Sequence, residues 1–264
     1  MTKAAVKAGS YARFMQDVAA AKERVLILDY DGTIAPFSAH RKMAFPYPGV
    51  GDLLHQIMSD GTRLVVASGR AAHELLPLLG MIPPPEIWGT HGAERVYADG
   101  RYEEIEVTQD SLEVLLKSET RLEQEGLGHL LEVKLAAVAV HWRGLKPAEL
   151  LPVRSKAYKV LEPLAGKSGL VLAEFEEGVE IRLRAANKGT ALQRLLSELN
   201  PDVPVAYLGD DITDEDAFRV LNDRGLTVLV NAKPRFTAAQ LSLKPPDELI
   251  GFLTAWSKAC RGKA

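Results

Sequence analysis

Asp29 and Asp31 stand two residues apart in Asp29-Tyr30-Asp31-Gly32-Thr33, directly after the apolar run Val25-Leu26-Ile27-Leu28. One carboxylate of such a pair can attack an electrophile while the other handles a proton. Crowding raises the pKa of whichever has the less compensating surroundings. Taken alone, the same residues also suit a surface turn, because Gly32 tolerates unusual dihedrals. A second acidic group, Gly209-Asp210-Asp211-Ile212-Thr213-Asp214-Glu215-Asp216, places five carboxylates within seven residues. That density repels itself unless a hard cation or a lysine such as Lys188 is close, and an all-oxygen donor set suits magnesium. A helix-loop-helix calcium loop fits poorly, since its aspartate spacing, central glycine and closing glutamate are missing.

Two basic or hydroxyl-bearing stretches complement these acids. Ser68-Gly69-Arg70 could offer a hydroxyl, backbone N–H groups and a positive charge to a phosphoryl group. A plain helix cap is the more frequent use of such a tripeptide. Asn187-Lys188-Gly189-Thr190 opens a helix, where the macrodipole disfavours a cation, so Lys188 is expected to have an anionic partner.

The elements that must position these groups follow from hydrophobic patterning. Val25–Leu28, Leu64–Ala67 and Val205–Leu208 are short, wholly apolar runs that each stop at polar residues: Asp29, Ser68 and the Gly209-Asp210-Asp211 turn. Such runs read as strands buried on both faces. In an open parallel sheet the ligand crevice lies outside the carboxyl ends of the strands, so three polar tips converge there. Helical patterns over Gly51–Ser59, Ala72–Leu79 and Lys188–Leu199 alternate with the strands and predict right-handed crossovers in a Rossmann-like α/β core. A helix is expected over Tyr11–Arg24 and another over Asp247–Lys258.

The middle of the chain reads differently. From Glu94 to Leu183 polar and apolar residues alternate, with turn signals at Asp99-Gly100 and Glu177-Gly178, as in an antiparallel sheet. Helices near Ser111–Glu125 and Pro147–Leu164 would cover one side of it. The expected organisation is a core of residues 1–93 and 185–264, interrupted by a smaller α/β cap of residues 94–184. Within the cap, Glu132 and Lys134 are expected to share one face and His141 and Arg143 another, with a turn or bulge near Ala136 bringing the pairs together. A solvated cap surface is the alternative use of these four residues.

Composition narrows the partners. With 32 basic against 35 acidic residues the net charge is -3, so no footprint for nucleic acid or an anionic membrane is expected. The single cysteine, Cys260, rules out an internal disulfide framework or a thiolate zinc cluster. No apolar run is long enough to span a bilayer and no secretory core is read at the N-terminus, so a cytoplasmic protein with a small-molecule substrate is expected. A monomer is the favoured expectation.

Taken in order, Asp29-Tyr30-Asp31-Gly32-Thr33, Ser68, Lys188 and Gly209-Asp210-Asp211 through Asp214 resemble the four signature motifs of the haloacid-dehalogenase superfamily. The insert between the second and third motifs resembles the cap of its phosphosugar-acting members. Within that group, Gly89-Thr90-His91-Gly92-Ala93-Glu94, Glu132-Val133-Lys134, His141-Trp142-Arg143 and Glu180-Ile181-Arg182 resemble the trehalose-6-phosphate phosphatases. Leu183-Arg184 stands where members often carry proline, and Thr90 replaces a more usual Ser or Asn. The resemblance implies Asp29 as nucleophile, Asp31 as general acid and base, and Ser68 and Lys188 as stabilisers of the transferring oxygens. It implies Mg2+ held by Asp29, the Asp31 carbonyl and Asp210, with Asp211 and Asp214 fixing Lys188 or a bound water from behind. It also implies substrate contacts by Gly69, Arg70, His91, Gly92, Glu132, Lys134, His141, Arg143, Glu180 and Arg182. Phosphatases of sucrose phosphate or of mannosyl- or glucosyl-phosphoglycerate, a phosphosugar mutase and a non-catalytic sugar-phosphate sensor are the rival expectations.

Overall fold

The computed structural model describes residues 3–38, 40–175 and 177–262, with side chains from residue 10 onward. In chain order the strands are β1 (Val25–Leu28), β2 (Arg63–Ala67), β3 (Glu86–Gly89), β4 (Glu94–Val96), β5 (Tyr102–Glu104), β6 (Leu131–Lys134), β7 (Ala137–His141), β8 (Leu170–Phe175), β9 (Gly178–Leu183), β10 (Val205–Gly209), β11 (Leu226–Val230) and β12 (Leu241–Leu243). The helices are α1 (Lys3–Ala20), α2 (Val50–Ser59), α3 (Ala72–Leu79), α4 (Gln109–Gln124), α5 (Pro147–Leu161), α6 (Lys188–Glu198), α7 (Glu215–Leu221) and α8 (Asp247–Arg261). They form two compact units, one running up to Glu103 and resuming at Lys188, the other spanning Glu104–Asn187. Among the described residues no helix is long and apolar enough to cross a membrane.

The larger unit is built on an eight-stranded sheet of order β12-β11-β10-β1-β2-β3-β4-β5. From β12 to β3 every neighbouring pair is parallel. Parallel strands need both faces covered, and alternate residues of β1 feed two separate cores. Leu26 and Leu28 pack with α2, α3 and α8 residues such as Leu54, Leu75 and Trp256. Val25 and Ile27 pack with Leu192, Leu195 and Phe218 of α6 and α7. Each such fully buried side chain contributes about 1.5–3 kcal/mol. The chain leaves β1 toward β2 and β3 on one side, then returns through β10 to the other side. The strand order therefore reverses between β1 and β10, the topological switch point at which a crevice opens.

The expected boundary of the insert moves. β4 pairs antiparallel with β3, and β5 extends the same sheet, so residues 94–103 belong to the core unit. The Asp99-Gly100 turn is present, with the Tyr97 N–H donating to the Arg101 carbonyl at 2.9 Å. The partner of its first strand is β3, a pairing that no local pattern encodes.

The smaller unit holds an antiparallel sheet of order β6-β7-β9-β8, with α4 and α5 packed on one face. Val138, Val140, Val179 and Ile181 face these helices and are buried. The opposite face carries Glu132, Lys134, His141, Glu180 and Arg182, because cross-strand partners project to the same side.

Candidate active site

Three strand ends build the site of the larger unit. The Asp29 N–H donates to the Leu208 carbonyl of β10 at 2.8 Å, so the first residue after β1 is held by its neighbour at the switch point. Asp29 is buried, as are Ser68 after β2 and Asp210 after β10. Gly32 has φ +79°, and a Cβ there would lie 2.1 Å from the Asp210 Oδ2. Only glycine both adopts that left-handed turn and admits the Asp210 carboxylate beside it.

Lys188, the first residue of α6, donates to Asp29 Oδ1 at 2.8 Å and to Asp214 Oδ1 at 2.7 Å. The structure thus supplies the anionic partners expected of a buried first-turn lysine. Burial works against its ammonium, but the carboxylates of Asp214 and Asp29 outweigh that and raise its pKa. Asp214 spends both oxygens: Oδ1 also accepts from the Tyr207 hydroxyl at 2.7 Å, and Oδ2 accepts from the Asp210 and Asp211 N–H groups, each at 3.0 Å. It is a hub that orders the acidic turn. Asp211, expected to fix Lys188 or a bound water, makes a local bond. Its side chain accepts from the Ile212 N–H at 2.6 Å, capping the turn of which it is the first residue.

Three carboxylates, those of Asp29, Asp210 and Asp214, bring oxygens within 4.8 Å of one another with one ammonium between them. Burial foremost pushes Asp29 up to about 7, against the lowering pull of Lys188. Burial, then the charge of Asp29, pushes Asp210 well above the carboxylate range. Burial that disfavours both carboxylates calls for compensating positive charge beside them. Since Asp214 is fully engaged, Asp29 and Asp210 are the side chains fitted to a hard, oxygen-binding cation.

Arg70 departs from expectation. It was expected to lend charge to a phosphoryl group, but its guanidinium forks onto Asp31, with Nε to Oδ2 and Nη2 to Oδ1 both at 2.6 Å. Its Nη1 donates to the Arg41 carbonyl at 2.8 Å. β2 neighbours β1, so a residue just past the end of β2 reaches the carboxylate just past the end of β1. Ser68 Oγ accepts from the Arg70 N–H at 3.2 Å, which leaves the serine O–H directed elsewhere as a donor. His91 lies against Gly69, where a Cβ would fall 2.6 Å from its Nε2. Gly92 accepts through its carbonyl from Arg194 of α6 at 2.9 Å.

Arg235 is a residue that sequence patterning missed. Its guanidinium donates to the Asp210 carbonyl at 3.2 Å and the Asp211 carbonyl at 2.8 Å, and it pairs with Glu215. It thereby fixes the backbone of the acidic turn from the loop after β11. Only its proximity in three dimensions marks it, because nothing in Lys233-Pro234-Arg235 signals a remote acidic partner.

In the smaller unit, the polar residues gather on one face without a bulge. β6 and β7 pair in regular register, Glu132 opposite Ala139 and Lys134 opposite Ala137, and Ala139 lies opposite Glu180 on β9. The expected turn lies between Lys134 and Ala137, and it brings His141 to the first pair, with Nε2 2.6 Å from Glu132 Oε2. Lys134 Nζ lies 3.7 Å from Glu132 and 3.8 Å from Glu180, and Arg182 Nε lies 3.2 Å from Glu180. Ala137, Ala139, Ala173 and Gly178 lie among them on this face, with Val171 opposite Arg182 and the Phe175 ring beside His141. Arg143 stands past the end of β7 and pairs with Glu177, away from the cluster.

A parallel core with an acid-bearing first strand, a lysine opening a later helix, an acidic turn at the switch point and an inserted α/β unit together define the haloacid-dehalogenase class of phosphatase folds. A family model described as trehalose-phosphatase matches residues 27–247, and the chain belongs to that family. It is 33% identical over 231 residues to the bifunctional trehalose-6-phosphate synthase/phosphatase of Thermoproteus tenax, a match covering 84% of this chain and 30% of that protein. It is 28% identical over 261 residues to the trehalose-phosphate phosphatase of Mycobacterium tuberculosis, covering 94% of this chain and 64% of that one. The chain thus spans less than two thirds of either relative. The solved structure of Aspergillus fumigatus trehalose-6-phosphate phosphatase superposes with a TM-score of 0.69 at 26% identity, covering 94% of this chain and 97% of that one.

Proposed function

We propose that this chain is a magnesium-dependent phosphatase that hydrolyses trehalose 6-phosphate to trehalose and inorganic phosphate through an aspartyl-phosphate on Asp29. The observation that carries the reading is the meeting of Asp29, Lys188, Asp210 and Asp214 at one strand-end crevice. Family membership and the relatives' names support the sugar phosphate as substrate.

In this reading an Asp29 carboxylate oxygen attacks phosphorus in line, and the bond from phosphorus to the sugar oxygen breaks. Asp31, as the acid, gives that oxygen its proton. Water then attacks the phosphoryl group, Asp31 takes the proton back, and Asp29 is released as a carboxylate with inorganic phosphate. The Arg70 fork sets the direction of the Asp31 carboxylate between these transfers. The Lys188 ammonium and the Ser68 O–H receive the transferring oxygens, and Asp214 holds Lys188 in place. Asp29, the Asp31 carbonyl and Asp210 would hold the cation, which when bound offsets the repulsion between carboxylate and phosphate. Glu132, Lys134, His141, Glu180 and Arg182 supply charge-assisted partners for sugar hydroxyls.

Phosphate release should be measured with trehalose 6-phosphate, sucrose 6-phosphate, glucosyl-3-phosphoglycerate and glucose 6-phosphate, each with magnesium or with chelator. The expected result is fastest release from trehalose 6-phosphate, abolished by the chelator. Undiminished release in chelator, or a clear preference for another sugar phosphate, would contradict the corresponding part of the proposal.

A further inference from the structure

Thr90 and His91, consecutive and neither of them glycine, have φ of 50° and 56°. That region is costly for residues with a Cβ, and most of all for a β-branched one. Such strain persists only where the surroundings over-determine it, and it concentrates at functional sites. Two backbone contacts lace this turn to the loop after β2: the Thr90 N–H donates to the Arg70 carbonyl and the His91 N–H to the Ser68 carbonyl, each at 2.8 Å.

Besides Arg194 on the Gly92 carbonyl, a side-chain contact comes from Glu94, which is 8% exposed and has no part in the proposed phosphoryl transfer. Its Oε1 accepts from the Ala72 N–H at the start of α3 at 2.8 Å and from the Thr90 hydroxyl at 3.2 Å. Its other oxygen accepts from the Tyr102 hydroxyl at 3.4 Å. One buried carboxylate therefore grips both the element that follows Ser68-Gly69-Arg70 and the strained turn that carries His91. The His91 imidazole consequently lies against the Gly69 backbone, where a side chain could not fit.

We infer that Glu94 is a positioning residue for the phosphate-receiving side of the site: it holds the strained turn so that His91 stays seated against Ser68-Gly69. The inference rests on the proposed phosphatase reading. A carboxylate that served stability alone would alter the melting temperature and act on turnover independently of His91.

The test is a double-mutant cycle of wild type, Glu94→Ala, His91→Ala and the double variant. Each is assayed with magnesium and p-nitrophenyl phosphate, which needs no sugar recognition. Glu94→Ala is expected to lose about 10- to 100-fold in kcat/KM, the scale of a misplacement near 1 Å. In the His91→Ala background the same change should cost less than about twofold, while the melting temperature falls in both backgrounds. If Glu94→Ala does not fold, Glu94→Gln, with the same shape and one acceptor oxygen retained, is expected to show a smaller loss that likewise vanishes without His91. Losses that multiply, or a His91→Ala variant with wild-type kcat/KM, overturn the inference and leave the phosphatase reading standing. A wild-type protein that releases no phosphate from any ester ends both.

Discussion

Replacing Lys188 with methionine keeps the reach of the side chain and removes its charge from a site where it is 3% exposed. The ammonium lies 2.8 Å from Asp29 and 2.7 Å from Asp214, and Asp210 completes the acidic cluster. Removing one partner of a buried ion pair costs about 3–5 kcal/mol, because the remaining charge is left uncompensated. In a chain of this length each kcal/mol moves the melting temperature by roughly 2–4 °C, so a drop on the order of 6–20 °C is expected near pH 8 in chelator. Two substitutes can stand in for the lost charge. Asp29 already holds its proton up to about 7 with Lys188 present, so acidification to about pH 5 should shrink the deficit as Asp29 protonates. Magnesium should restore part of it at the higher pH. Thermal unfolding of both proteins at the two pH values, with chelator or magnesium, reads all of these effects. An unchanged melting temperature near pH 8 in chelator, or a deficit that grows on acidification, would refute the reasoning.

Gly32→Ala would force a left-handed residue to carry a Cβ 2.1 Å from Asp210 Oδ2. About 1–2 kcal/mol of backbone strain is expected, together with loss of the stabilisation by magnesium seen in a thermal titration; an intact magnesium response would contradict this. In the metal-free protein Asp29 is raised from 3.8 to about 7, so the folded state binds more protons than the unfolded one between those values. Its contribution to stability is full below about pH 4 and is lost as pH rises toward 7. The urea-derived stability of wild type minus that of Asp29→Asn should therefore fall across this window, and a rising difference would contradict the assignment. Glu180→Ala, which removes a 1% exposed carboxylate paired with Arg182 and Lys134, should lower kcat/KM for trehalose 6-phosphate by about 10- to 100-fold, the worth of one hydrogen bond to a charged group. Turnover of p-nitrophenyl phosphate should change little, and equal losses on both would count against sugar recognition by this face.

The central strands were readable because a strand buried on both faces must be apolar throughout. Val25–Leu28 and Val205–Gly209 end where the crevice begins, so Asp29 and Asp210 stand out in the sequence. The anionic partners of Lys188 were readable for a different reason, an ammonium opening a helix where the macrodipole disfavours it. What escaped depends on reach between segments distant in the chain. Nothing local to Ser68-Gly69-Arg70 says that the arginine turns onto Asp31, and nothing near Arg235 announces the carbonyls of Asp210 and Asp211. The boundary at Glu94 was misplaced because a hairpin's composition specifies its turn but not the sheet its outer strand joins. The meeting of His141 with Glu132 was readable only as far as a turn or bulge near Ala136 would allow it, since the side His141 takes depends on where the chain reverses between Lys134 and Ala137. Of the two, the structure has the turn, and the register keeps strict alternation.

The most direct test asks whether Asp29 becomes bonded to phosphorus during turnover. Protein mixed with trehalose 6-phosphate and magnesium, quenched in acid within the first turnovers and digested, should yield one phosphorylated peptide, that containing Val25–Thr33, with the phosphoryl group on Asp29. The Asp29→Asn protein should yield none and release no phosphate. A phosphoryl group on any other residue, or wild-type release by Asp29→Asn, would contradict the account.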